Sequence, residues 1–300
     1  MATIMQIDSV QQYNDYFGVE TLHPLVSVIE GSEAKPLRFC RKHYQVYAVL
    51  LKDARCGNLT YGQSIYDYQQ GTMLFLAPGQ VMGSEDDGQW HQPEGWVLVF
   101  HPELLHGTAF ARTLKDYTFF SYNANEALHL STQERQTVIG CMEKIREELR
   151  YPIDRHSQSL ITDNIKLLLD YCARFYDRQF ITRQPANSAL LARFERLLDD
   201  YFASERVAQQ GMPTVQYCAD RLCLSASYFS DMLKKETGMP ALKHIQLRML
   251  EAAKAQVFDT TKSINEIAYA LGFPYPQHFS RWFKRATGHT PNAYREQMIH

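Results

Sequence analysis

Two periods of apolar residues divide the chain. From Leu22 to about Tyr122 the apolar positions come in short β-branched and aromatic runs: Tyr44 to Leu51, Thr72 to Leu76, and Gly95 to Phe100. Gly57-Asn58, Gly71, Pro78-Gly79 and Asp87-Gly88 fall between them as turn formers. Strands this short and this frequent predict a small barrel or sandwich. Around Ser131 the period lengthens to that of a helix. Ser131-Thr132-Gln133-Glu134 has the form of a capping box, and Val138, Met142, Ile145 and Leu149 follow at helical spacing up to Tyr151-Pro152. A second helix is predicted from about Ser157, with Leu160, Ile161, Ile165, Leu168, Leu169, Cys172 and Phe175 as its apolar stripe. These two helices need a partner surface, which is the barrel, each other or a second subunit. Arg183 to Ser188 has no apolar period and contains Pro185, so it reads as the linker.

Everything after that linker has helical period, and it repeats. Val215, Cys218, Ala219, Leu222 and Leu224 match Ile264, Ile267, Ala268, Leu271 and Phe273 at a constant offset of 49. Phe229, Leu233 and Gly238 match Phe279, Phe283 and Gly288 at an offset of 50, which places one extra residue in the second turn. Each copy opens with apolar residues at i, i+3, i+4 and i+7, and the i+4 position is alanine, small enough for another helix to cross closely. Thr214 is the N-cap expected for the first copy, and Ser263-Ile264-Asn265-Glu266 is a second capping box. The turn is Cys223-Leu224 in one copy and Gly272-Phe273-Pro274 in the other, with Gly272 suited to the left-handed residue past a helix end. The pattern is a helix-turn-helix written twice. Between the copies, Ala241 to Asp259 reads as one helix of about 19 residues, roughly 28 Å long. That approaches the ~34 Å between successive major-groove openings on one face of B-DNA.

The outward faces of the second helices are the candidate reading surface. In the second copy they carry Gln277, His278, Arg281, Lys284 and Arg285. Gln pairs with adenine and Arg with guanine in the major groove, while Lys284 and Arg285 lie where phosphates are met. In the first copy the outward set is Ser227, Ser230, Asp231 and Lys234, with Ser225 as the N-cap presenting its helix end to a phosphate. Asp231 is the awkward member, because an acid facing DNA is repelled unless it accepts from a cytosine amine or an arginine.

Composition changes this picture in one respect. The chain of 300 residues has 31 Lys+Arg against 33 Asp+Glu, a formal net charge of -2 that by itself argues against a nucleic-acid partner. Divided at the linker, residues 187–300 hold 14 basic and 11 acidic side chains, while residues 1–186 hold 17 and 22. A neutral total conceals an acidic front and a basic rear. No signal peptide and no membrane-length apolar run is read, and the six cysteines form no C-x-x-C pair. They are expected to be reduced and buried, in a cytoplasmic protein.

Ile264 to Phe273, His278 to Arg285, Thr287-Gly288-His289-Thr290-Pro291 and Tyr294-Arg295 closely resemble the DNA-binding signature of the AraC/XylS transcription regulators. The first copy, from Leu224-Ser225 through Gly238, resembles that family too, so the likeness covers about 188–300. It implies that Ser227, Ser230 and Asp231 in one helix and Gln277 and Arg281 in the other are the base-reading positions. Some members carry a basic residue where this chain has Asp231. Gly71 to Gly79 is similar to one conserved stretch of the cupin-type sensors common in such regulators. The fold class expected is therefore α+β multidomain: a β-rich cupin-like sensor at 1–127, a helical dimerisation segment at 128–182, and an all-α double helix-turn-helix domain of seven helices at 188–300. The first of those helices is expected to bury Leu190, Phe194, Leu197 and Tyr201. The implied partners are double-stranded promoter DNA, RNA polymerase, a small-molecule effector and a second copy of the chain, with an activator as the expected mode.

The alternative is a metal-dependent cupin enzyme with an accessory helical domain. His23, His43, His91, His101 and His106 are scattered, without the H-x-H spacing such a site needs, and neither a nucleophile elbow nor a P-loop is present. No enzyme activity, metal or cofactor is expected. Tyr61, Tyr66, Tyr68, Trp90 and Trp96 are candidates to line an effector pocket, although such residues are more often simply barrel core. Arg38 is a candidate anion holder, and no effector residue is singled out.

Overall fold

The computed structural model describes residues 4–52, 59–61, 64–66 and 71–299. It separates into two compact units, Met1–Thr182 and Arg183–His300.

The first unit begins with β1 (Met5–Ile7), α1 (Val10–Phe17), β2 (Val26–Glu30), β3 (Lys42–Tyr44) and β4 (Tyr47–Lys52). It continues through β5 (Leu59–Tyr61), β6 (Ser64–Tyr66), β7 (Thr72–Leu76), β8 (Gln80–Met82) and β9 (Trp96–Phe100). A short α2 (Phe110–Thr113), β10 (Leu128–His129), α3 (Thr132–Glu148) and α4 (Ser157–Thr182) complete it. Five strands form an antiparallel sheet in the order β10-β7-β4-β9-β2, three more pair as β1-β3-β8, and β5 pairs with β6. Among the described residues these ladders do not close into a barrel. Gly57-Asn58, Cys56 and Tyr68 lie outside the described residues.

The large sheet is covered on both faces, which is why β7 is buried at all five positions and shows no apolar-polar alternation. Ala48, Leu50, Leu74, Leu76 and Val99 face a core shared with Ile7, Val10 and Tyr13. The alternate positions meet the helices: the Cys172 thiol lies 3.7 Å from the Met73 sulfur, and the Arg146 guanidinium lies over the Trp96 ring. Trp96 is thus core. The Ser131 capping box forms as expected. Its Glu134 carboxylate also accepts from Arg178 at 2.7 and 3.1 Å, tying the start of α3 to α4. Gln179, buried in α4, accepts from the His129 amide at 2.8 Å and donates to the Ala127 carbonyl at 3.1 Å, holding the short edge strand β10. Leu160, expected in the buried stripe of α4, is exposed.

Among its described residues the second unit has eight helices: α5 (Gln184–Ala203), α6 (Arg206–Gln210), α7 (Val215–Arg221), α8 (Ala226–Thr237), α9 (Ala241–Phe258), α10 (Ile264–Ala270), α11 (Pro276–Thr287) and α12 (Pro291–Ile299). The expected count of seven misses α6, a five-residue turn too short to show a period. The expected linker is also helical from Gln184, with proline in the first turn, where a missing N–H costs nothing. Phe194 and Tyr201 of α5 are buried as expected, but Leu198 takes the place given to Leu197. Four residues from Phe194, it returns to the same face. The spine is α9, whose Ala241, Ile245, Met249, Ala253 and Val257 recur every four residues and are all buried. It packs with α5, α7, α8, α10, α11 and α12, and Phe194 of α5 meets Phe229 of α8 edge to face.

Candidate nucleic-acid interface

The two helix pairs are built by the same local rules. Thr214 Oγ1 accepts from the Tyr217 amide at 3.0 Å to start α7. Ser263 Oγ accepts from the Glu266 amide at 3.2 Å, and the Glu266 carboxylate accepts from the Ser263 amide at 2.7 Å to start α10. That amide also holds the Glu266 carboxyl below the usual range. Ala219 and Ala268 are fully buried where their partner helices pack.

The turns match bond for bond. Leu224 N–H donates to the Ala219 carbonyl at 3.0 Å and Cys223 N–H to the Asp220 carbonyl at 3.1 Å. Phe273 N–H donates to the Ala268 carbonyl and Gly272 N–H to the Tyr269 carbonyl, both at 2.9 Å. Each is a Schellman stop with its central residue left-handed: Cys223 at φ 60° and Gly272 at φ 76°. Cys223 is therefore an exposed turn residue rather than the buried packing thiol expected for it. Gly272 has a second reason to be glycine, because an added Cβ would meet the Val207 carbonyl of α6 at 2.2 Å. The extra Pro274 then leads into α11, whose N-cap Tyr275 gives no side-chain bond, whereas Ser225 Oγ caps α8 by accepting from the Tyr228 amide at 3.2 Å. Both second helices end alike: Thr237 and Thr287 bond back to the Leu233 and Phe283 carbonyls, followed by left-handed Gly238 and Gly288.

This frame decides which side chains stand outside. On α11, Phe279 and Phe283 are fully buried, and Gln277, His278, Arg281, Lys284 and Arg285 are all exposed on one face. On α8 the outward set is poorer. Lys234 is exposed and Ser227 and Asp231 are half-buried. Ser225 is buried as the cap. Ser230 Oγ accepts from the Ala241 amide at 3.4 Å, so it also serves the start of α9. Arg295 was legible only through the resemblance, and the structure gives it a role. Its guanidinium donates to the Val257, Asp259 and Lys262 carbonyls at 2.7, 3.2 and 3.0 Å, fixing the end of α9 and the turn into α10.

In the first unit, Arg38 pairs with Asp86 at 2.9 Å. The side chains of Tyr61 and Tyr66 lie outside the described residues. Among the described residues no group of three or more His, Cys, Asp or Glu is placed to hold a metal, and no helix is long and apolar enough to cross a membrane.

Residues 218–297 match the family model described as a helix-turn-helix domain. The chain is 33% identical over 259 residues to an uncharacterized HTH-type transcriptional regulator, YobQ, of Bacillus subtilis, covering 83% of this chain and 96% of that relative. The chain belongs to the AraC/XylS family of DNA-binding transcription regulators. It is also 27% identical over 186 residues to the xylose operon regulatory protein of Escherichia coli K12, covering 57% of this chain and 47% of that one. Among solved structures, the C-terminal domain of the response regulator AraT from Geobacillus stearothermophilus is 28% identical, covers 36% of this chain and 84% of its own, and has a TM-score of 0.32.

Proposed function

We propose that one protomer reads promoter DNA with both helix pairs, α8 and α11 entering successive major grooves on one face of the duplex, and that the first unit is a cupin-like sensor regulating this engagement. The observation that carries it is the shared local frame: two identically terminated turns aim two second helices from a single 18-residue spine, about 27 Å long. On α11, Gln277 and Arg281 read base edges, His278 joins them, and Lys284 and Arg285 meet phosphates. On α8, Lys234 meets phosphate, while Ser227, Ser230 and Asp231 make a weaker, mostly positioning contact and Ser225 presents the helix end. The first unit divides functionally at about 127, with 128–182 forming a homodimer contact. Exposed Leu160 and Leu167, one heptad apart on α4, support that face. The bound complex recruits RNA polymerase as an activator.

Selection of genomic fragments by the full chain tests this reading. Recovered sites should share a motif bound at least about a thousandfold more tightly than random DNA. Retention of all fragments alike by folded protein would contradict it.

A further inference from the structure

The first unit holds a cavity of about 420 Å³ between α1, β3, β4 and residues 83–94. That lies within the roughly 300–1,000 Å³ of small-molecule sites. One part of its wall is apolar and aromatic, with Tyr13 and Phe17 from α1, Tyr44 from β3, Leu50 from β4, and Phe39 and Trp90 from the loops, and the rest is polar, with Ser84, His91 and Gln92. Set in this wall is Lys42, only 8% exposed. Its Nζ donates one long hydrogen bond, 3.5 Å to the Cys40 carbonyl, and lies 4.4 Å from the centre of the Tyr16 ring. Among the described residues no carboxylate pairs with it. A buried ammonium with so little compensation is costly unless something else supplies negative charge.

Among the described residues the neighbouring carboxylates do not supply it. Lys52 also lines the cavity, and its charge opposes that of Lys42. Glu85, Asp86 and Asp87 are engaged with Arg41, Arg38 and His91. Among the described residues Glu94 is the one carboxylate in the lining, and it is exposed. The cavity thus presents two ammonium groups beside a cluster of aromatic rings.

We propose that this cavity binds an organic monoanion, a carboxylate on an apolar body, with the carboxylate paired to Lys42 and the body against Tyr13, Phe17 and Tyr44. The proposal rests on reading the first unit as the sensor of a DNA-binding regulator, and it names the chemical class sensed. Two of the lining residues, Phe39 and His91, stack on each other at 3.9 Å. Trp90 is 70% exposed in the same lining, so its fluorescence reports occupancy.

The test is titration calorimetry on the full chain with phenylacetate and octanoate, each against its neutral amide, and with inorganic phosphate. At least one acid should bind at or below millimolar concentration, with its amide and phosphate about tenfold weaker or absent. The better of the two acids tells whether the body is a ring or an alkyl chain. Lys42→Met should lose about tenfold for the acid and nothing for the amide, while Lys42→Arg keeps the acid. Loss of a buried charge should raise the unfolding temperature of Lys42→Met, which checks that this variant folds. Equal binding of acid and amide, undiminished binding by folded Lys42→Met, or no binding by either acid at millimolar concentration overturns the proposal. DNA affinity measured on the same preparations separates the two readings. If DNA binds and the acids do not, the cavity assignment falls and the regulator stands; if the acids bind through Lys42 and DNA does not, the sensor site stands and the regulator reading falls.

Discussion

At the scale of single residues, the two turns offer a paired experiment. Cys223 and Gly272 occupy the same left-handed position, but only glycine adopts it without cost. Cys223→Gly should therefore stabilise the second unit by about 0.5–1 kcal/mol in urea unfolding, since removing the Cβ relieves strain at an exposed site. Gly272→Ala should destabilise it by about 2–4 kcal/mol, combining the left-handed strain with a clash on the Val207 carbonyl. Lys42 carries a different cost. Burial pushes its ammonium below the ordinary lysine range. The unfolded chain then binds more protons than the folded one between the folded and unfolded pKa values, so stability rises with pH across that window. Lys42→Met should be more stable by about 1–2 kcal/mol near neutral pH, and its advantage should shrink as pH climbs toward 10.5. A pH series of thermal melts on both proteins checks the sign.

Among the helices, the proposed reading gives most of the base contact to α11, because on α8 the Ser225 hydroxyl accepts from the Tyr228 amide and the Ser230 hydroxyl from the Ala241 amide. Arg281→Ala should weaken binding to a cognate site by about 1–3 kcal/mol and relax preference at one base pair. Lys284→Ala should instead weaken all sequences alike and reduce the salt slope by about one. Competition binding against single-base variants of the site distinguishes the two patterns. The same scale shows what was legible in the sequence. Capping boxes at Ser131 and Ser263 and the left-handed Gly272 follow from side-chain chemistry acting within four residues, and each appears as expected. The misses have different causes: Pro185 reads as a breaker but occupies a helix's first turn, α6 is too short to have a period, and Cys223 reads as core from its apolar neighbours although it is the left-handed residue of a turn. Lys42 is not legible because of tertiary context: its burial is set by α1 and distant loops, not by its own strand.

For the whole molecule, the charge division gains a physical meaning. The second unit, with 15 basic against 11 acidic side chains, has little bulk attraction for DNA, so on the proposed reading specificity would rest on a few placed groups on α11. The first unit, with 16 basic against 22 acidic, carries the sign that repels a duplex, which fits the sensor role proposed for it. The division into units at Thr182 and Arg183 keeps these two charge characters apart along the chain. The spine α9 sets the distance between the two second helices, and that distance is the central claim. Hydroxyl-radical footprinting of the full chain on a selected promoter site measures it directly. With protein in excess of saturation, each bound protomer should protect two blocks on one face of the DNA, centred about 10–10.5 base pairs apart, and Arg281→Ala, compared at its own saturating concentration, should weaken only the block under α11. A single protected block per protomer, or two blocks that weaken equally at saturation in the Arg281 variant, would contradict it.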